Sequence, residues 1–294
     1  MPLSFLQPLT THDSRLTTHL PELPEVETYV TDLRPHVVAR RIVAATLTHA
    51  DILAGVSKRR FLGALTGARI TGVSRRAKHA VVHLESGLRL VVQPGMTGSL
   101  YHAPRPLPAD EAKYVVLEAR LDRGGRMIYY DVRRIGTLRL LDDRGWARLD
   151  AALGPEPLGD AWTMEAFVAS LAGSRVAIKK FVMDQRKVVG IGNIYANEAL
   201  FAAGIDPSKP AGQLTHQQAL ELRLHARRIL DRAIAASGTT FRDYRTGSGE
   251  PGNFQLELWV YGREGEPCRR CGTTLTGTHE IDARATVFCH RCQR

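Results

Sequence analysis

The chain has 294 residues, 44% hydrophobic and 24% charged, a length and composition that suit about two globular domains. No apolar run approaches the roughly 20 residues that cross a bilayer, and residues 1–20 lack the continuous apolar core of a secretory signal; both speak against a membrane or exported protein, and the cytoplasm is the expected location. Lys and Arg number 40 against 30 Asp and Glu, a net charge of +10, which points to a polyanionic partner, nucleic acid ahead of anionic membrane.

Residues 20–30, LPELPEVETYV, hold two prolines and the carboxylates Glu22, Glu25 and Glu27, and have the look of a chain start. A helix is expected from Pro24 to about Val38, its acidic residues placed where the helix dipole favours negative charge. From about 40 to 141, short Val/Ile/Leu-rich runs (RIVAATLTH, ARITGVS, AVVHLE, LRLVVQ, KYVVLEARL, MIYYD, TLRLL) alternate with glycine and charged turns. That texture predicts an antiparallel sandwich or barrel. Residues 142–162 mix polar, Gly and Pro residues and read as a linker. From Thr163 to about Ser237, TMEAFVASLAG, ANEALFAAG and HQQALELRLHARRILDRAIAAS space their apolar residues as helices do. Between them DQRKVVGIGN, 184–193, offers two glycines that let backbone approach a ligand, followed by a helix N-terminus suited to phosphate. Basic residues cluster at Lys58-Arg59-Arg60, Arg75-Arg76 with Lys78, Arg133-Arg134, Lys179-Lys180 and Arg227-Arg228, a scatter that suits a folded surface lining up phosphate contacts rather than a basic tail.

All four cysteines lie near the C-terminus: Cys268 and Cys271 form one C-x2-C, seventeen residues follow, and Cys289 and Cys292 form the second. Two such knuckles supply four soft ligands for one tetrahedral, structural Zn²⁺, with no open position for catalysis. Two disulfides are the other reading, which the missing secretory signal disfavours. Turn glycines around the first knuckle, and Val287-Phe288 before the second, suggest a small β-hairpin zinc finger.

PELPEVE from 21, RRAK from 75, GMTG from 95, DVRRIG from 131, VVGIGNIYANEALF from 188, GEPGNFQLELWVYGREGEPC from 249 and RATVFCHRCQR from 284 occur in that order. Together they closely resemble formamidopyrimidine-DNA glycosylases, bacterial base-excision repair enzymes, over the whole chain from Pro21 to Arg294. The resemblance implies an α+β multidomain protein. Residues 1–20 would be an extension, 21–145 a catalytic β-sandwich with a flanking helix, 146–162 a linker, 163–254 a helical helix-two-turn-helix domain, and 255–294 the zinc finger. It further implies a monomer acting on double-stranded DNA with damaged bases, away from membranes. The sister branch, endonuclease VIII, prefers oxidised pyrimidines; the glycine-rich stretch 246–254, TGSGEPGNF, resembles the loop that closes over an oxidised purine and favours the first branch.

By the same resemblance Pro21 is the nucleophile, Glu22 the general acid, Lys78 the lysine that reaches the lesion and an adjacent phosphate, and Arg284 the zinc-finger arginine that grips a phosphate and assists elimination. Asn193 would bind phosphate, and Arg175 lies where the family has another basic contact. Met96 and Arg133 match two of the three side chains that fill the space left by a flipped base. Ile135 stands where the third is aromatic, and an aliphatic wedge still inserts between base steps. Lys113 or Tyr114 would replace a histidine-rich contact. The family's proline acts as a free secondary amine, whereas Pro21 joined to Leu20 is an inert tertiary amide. Initiation at Leu20 with removal of that residue, or cleavage after it, would free the amine. Retention of residues 1–20 would leave a protein that binds damage without cutting.

Overall fold

The computed structural model describes residues 21–239 and 252–294; the extension 1–20 and most of the glycine-rich stretch 246–254 lie outside them. Helix α1, Leu23–Val37, begins with a reciprocal capping box between Glu22 and Glu25 and with Pro24 in its first turn, where a missing N–H costs nothing. Its Val26, Val30, Leu33 and Val37 are fully buried, the spacing of a single apolar helix face.

Two four-stranded antiparallel sheets follow. One has the order β1 (Ile42–Leu47), β6 (Val115–Leu121), β7 (Arg126–Asp131), β5 (Gly98–Ala103); the other runs β2 (Ile70–Arg76), β3 (His79–Leu84), β4 (Arg89–Gln93), β8 (Thr137–Leu141). Each contributes one apolar face to a shared core with α1, drawing on Val73, Val82, Leu90, Leu100, Leu117, Met127 and Leu138. The expected sandwich is present. Two helices were not anticipated: α2, Lys58–Leu65, capped by Ser57, and the single turn α3, Ala109–Ala112. The Gly/Pro-rich stretch read as a linker also opens with a helix, α4 (Asp143–Ala151), because the Asp142 carboxylate accepts the Gly145 amide at 2.7 Å.

The second core belongs to α5 (Met164–Leu171), α6 (Ile178–Met183), α7 (Asn193–Ala202) and α8 (His216–Ala235). The last is opened by a Thr215–Gln218 capping box. A small hairpin, β9 (Thr276–Thr278) with β10 (Thr286–Phe288), packs Leu275 and Val287 on Phe201 and Val260 beside the cysteines. Among the described residues no helix is long and apolar enough to cross a membrane. Helix α1 touches β2, β3 and β5 on one side and α8 on the other, so the residues just before it lie where the sandwich meets the helices.

Candidate active site

Glu22 is buried at this junction. Its carboxylate accepts the backbone amides of Gly192, at 2.5 Å, and Ile194, at 2.9 Å, at the N-terminus of α7. The loop before α7 fits closely around it. The Leu23 amide donates to the Gly190 carbonyl, and Gly190 has φ +83, a conformation glycine adopts freely. Gln185 shapes the loop by accepting the Gly190 amide and donating to the Ile191 carbonyl. A Cβ on Gly192 would lie 2.5 Å from Glu22 Oε1 and 2.6 Å from Lys78 Nζ, so the carboxylate and the ammonium converge over this glycine. Burial pushes the Glu22 carboxyl up to about 7; Lys78 opposes the shift and Glu25 adds to it. Burial likewise pushes the Lys78 ammonium down, with Glu22 holding it up and Arg284 adding to the fall. A carboxyl that carries a proton near neutrality, beside an amine that burial pushes below the usual lysine range, is suited to proton transfer. Pro21, itself buried, stands directly before Glu22.

Lys78 sits on the tight turn between β2 and β3, where Ala77 has φ +54. Glu156 holds that turn: it accepts the Ala77 amide at 2.7 Å and both Arg75 and Arg76. Glu25 is fixed as firmly. It accepts the Glu22 amide at 2.9 Å, the Tyr195 hydroxyl at 2.6 Å and the Thr239 amide at 2.8 Å.

Arg284 is exposed on the hairpin side of the junction and lines a groove of about 710 Å³ with Lys180, Arg186, Lys187 and the carboxylates Asp184 and Asp282. The backbone around it is pinned from two helices. Lys179, with no exposed surface, donates to Asp282, Thr286 and the Ala285 carbonyl. Asn193 donates to the same carbonyl at 3.0 Å. Asn197 accepts the Val287 amide, and Glu198 accepts those of Trp259, Val260 and Tyr261. Beyond them the Sγ atoms of Cys268, Cys271, Cys289 and Cys292 lie within 4.8 Å of one another, with Cys271–Cys289 at 3.5 Å and Cys268–Cys292 at 4.0 Å. The four form no disulfide. A tetrahedral ion with bonds of about 2.3 Å needs sulfurs roughly 3.8 Å apart, so this zinc-finger-like cluster has the dimensions of a metal site.

The GMTG and DVRRIG segments meet back to back. A Cβ on Gly95 would lie 2.6 Å from the Gly136 nitrogen, and Asp131 ties the pair by accepting Thr97, Tyr129 and the amides of Arg133 and Gly136. Arg133 and half-buried Met96 touch, Nη1 to Sδ at 3.7 Å, and Ile135 projects beside them with 46% of its surface exposed. Lys113 is exposed, its ammonium 4.8 Å over the ring of Tyr114, which packs edge-on against Tyr130. Arg175 is exposed just ahead of α6.

The basic clusters need correction. Arg75 and Arg76 pair with Glu27, Asp150 and Glu156, Lys179 is buried, and Arg227 donates to the carbonyls of Pro157, Leu158 and Gly159. These cations knit the fold because their carboxylate and carbonyl partners lie far off in sequence. Sequence reasoning also missed Glu156, Tyr195, Asn197, Glu198 and Thr239. One signal was available: α7 buries eight of its ten residues, so any polar group on it needs a partner inside the protein.

Residues 20–138 match the family model described as the formamidopyrimidine-DNA glycosylase N-terminal domain, and residues 153–245 match that of the formamidopyrimidine-DNA glycosylase H2TH domain. A formamidopyrimidine-DNA glycosylase of Stutzerimonas stutzeri is 44% identical over 275 residues, which is 94% of this chain and all of the relative. One from Acidithiobacillus ferrooxidans is 40% identical over the same shares. Among solved structures, a point mutant of the Lactococcus lactis Fpg bound to DNA containing Fapy-dG superposes with a TM-score of 0.87 at 33% identity, covering 93% of this chain and all of that one. The MutM (Fpg) protein of Thermus thermophilus gives 0.82 at 36% identity, covering 93% and 98%.

Proposed function

Since this chain belongs to the formamidopyrimidine-DNA glycosylase family of DNA repair enzymes, we propose that it excises oxidised purines, 8-oxoguanine and formamidopyrimidines, from duplex DNA and then cleaves the strand. The observation that carries this reading is the convergence of Glu22, Lys78 and the α7 N-terminus beside Pro21, with Arg284 facing the same junction. Pro21, once its nitrogen is free, attacks C1′ of the sugar. The base leaves with a proton supplied by Glu22 and the Pro21 nitrogen gives up its own proton; the C1′–O4′ bond then opens, its oxygen taking the electron pair and a proton, which leaves an iminium between Pro21 and C1′. That cation draws electrons through β- and then δ-elimination, splitting one difficult step into easier ones. Lys78 and Arg284 hold the phosphates next to the lesion.

Met96, Arg133 and Ile135 fill the gap in the stack after the base is flipped. Asn193, Arg175, Lys113 and Tyr114 contact the backbone. The four cysteines hold one Zn²⁺, which supplies folding energy to the hairpin and no chemistry. The Lactococcus complexes with DNA containing Fapy-dG or an abasic site support this substrate class. The protein acts as a monomer in the bacterial cytoplasm.

Base release from duplexes carrying 8-oxoguanine, formamidopyrimidine or an oxidised pyrimidine tests the assignment, using a chain that begins at Pro21. Release of the two purine lesions well ahead of the pyrimidine is expected. The reverse order would place the protein with the endonuclease VIII branch, and binding without release of any base would leave it a damage-binding protein.

A further inference from the structure

The side-chain amide of Gln185 spans the loop between α6 and α7 and engages its backbone at three points. Its oxygen accepts the Gly190 amide at 2.8 Å, and its nitrogen donates to the carbonyls of Ile191 and Met183, both at 2.9 Å. The far side of the same backbone faces the catalytic end of α1. Gly190, whose amide Gln185 holds, accepts the Leu23 amide on its carbonyl at 3.0 Å. The Ile191 carbonyl that Gln185 holds belongs to the same peptide group as the Gly192 N–H, which donates to Glu22. A peptide group is planar, so fixing its oxygen fixes the direction of its N–H on the opposite side. A carbonyl that already accepts a hydrogen bond also polarises that N–H and strengthens it as a donor. The loop is confined around this contact. Gly190 has φ +83, and a Cβ on it would lie 2.5 Å from Leu23 Cδ1. Gln185 is itself tied down, its backbone carbonyl accepting the Gly154 amide at 2.8 Å.

We propose that Gln185 is a positioning residue for Glu22, holding the Ile191–Gly192 peptide in the orientation in which its N–H meets that carboxylate. The assignment rests on Glu22 being the acid that protonates the leaving base. Facing the Glu22 carboxyl are Glu25 on α1, Lys78 on the turn between β2 and β3, and the amides of Gly192 and Ile194 at the start of α7. Lys179 of α6 and the Tyr195 hydroxyl of α7 also lie within range of its charge, and Arg284 acts on Lys78. The two amides favour the charged form, and Gln185 steers one of them. Without the Gln185 amide the Gly192 N–H is free to turn away from the carboxylate. The acid then keeps its proton to higher pH, but its carboxyl is no longer held in one direction, and delivery of the proton slows.

Gln185→Met keeps the length of the side chain and removes its amide. In a chain beginning at Pro21 it should slow single-turnover release of an oxidised purine about tenfold. The fall of that rate with pH should move upward by on the order of one unit, because the charged carboxylate has lost a donor. In a Glu22→Gln background the same substitution should change the rate by less than about twofold, since a residue that acts through Glu22 has nothing left to act on. Gln185→Glu keeps the acceptor for the Gly190 amide and loses both N–H donors; it should give the same three results, and serves if Gln185→Met does not fold. A loss that persists in full in the Glu22→Gln background, or one whose pH limb stays where it was, would reduce Gln185 to a packing residue, and no loss at all would remove its role; each result overturns the proposal. A wild-type chain that releases no base from damaged duplex would instead overturn the functional reading on which it rests.

Discussion

Glu22 accepts two amides at the start of a helix, an arrangement that favours its charge, and burial still pushes its carboxyl up to about 7. A general acid must carry its proton, so excision should fall as pH rises through about 7, and Glu22→Gln should abolish that limb with a loss of roughly 10²–10⁴ in rate. A pH profile of single-turnover excision checks both. The same shift has a stability consequence. Between the ordinary 4.5 and about 7 the folded protein binds more protons than the unfolded chain, so this group's contribution to stability is full below 4.5 and is lost as pH rises through 7. Melting curves should therefore show Glu22→Gln gaining on wild type from pH 5 to pH 8. Gly192 is a second single-residue test. Its φ of −128 needs no glycine, but a methyl group there would lie 2.4 Å from Glu22 Cδ and 2.6 Å from Lys78 Nζ. Gly192→Ala should cost about 1–3 kcal/mol of stability and most of the activity, read by denaturant melts beside an excision assay; full activity would mean the two charges need not meet there.

Helix α7 is the element on which the site is assembled: its N-terminus receives Glu22, its first turns hold Asn193 and Tyr195, and its far face carries the hairpin through Asn197 and Glu198. Glu198→Ala would strand three amides, each worth roughly 1–3 kcal/mol when buried and unpartnered. Hydrogen exchange at Trp259–Tyr261 and across the hairpin should accelerate, and DNA binding should weaken as Arg284 loses its support. Cys271→Ser should release the metal and unfold the hairpin; metal analysis finding no zinc in the wild type, or normal DNA binding by the variant, would contradict this. Both elements show what the sequence displays and what it hides. The C-x2-C knuckles and the strand runs carry their own local signals of spacing and alternation, so the hairpin and sandwich were legible. Glu156 in a Gly/Pro stretch and Glu198 in an apolar helix had no local signal, because each holds backbone or cations more than 60 residues away. Helix α2 was missed because its basic start, Lys58-Arg59-Arg60, reads as a charge cluster rather than a helix end.

Across the whole molecule the charge of +10 is not all available to DNA. Arg75, Arg76, Lys179 and Arg227 are committed to internal carboxylates and carbonyls, which leaves Lys78, Lys113, Arg175 and Arg284 as the proposed cationic phosphate contacts. The logarithm of affinity should fall linearly with that of salt, by about 0.9 per contact. Lys113→Gln and Arg284→Gln should each lower the slope by about one, whereas Arg75→Gln should lower the melting temperature and leave the slope unchanged. The central claim is that the nitrogen of Pro21, once free, is the nucleophile of this site. Borohydride reduces an iminium to a stable amine, so it fixes the attacking nitrogen to DNA. A chain beginning Met-Pro21-Glu22, with its methionine removed, should become covalently joined to oxidised-purine duplex when borohydride is added. The chain with Leu20 still attached, confirmed intact by mass spectrometry, should bind that duplex and not be joined to it. Equal trapping by the intact chain would contradict the account and pass the role to another amine, Lys78 first.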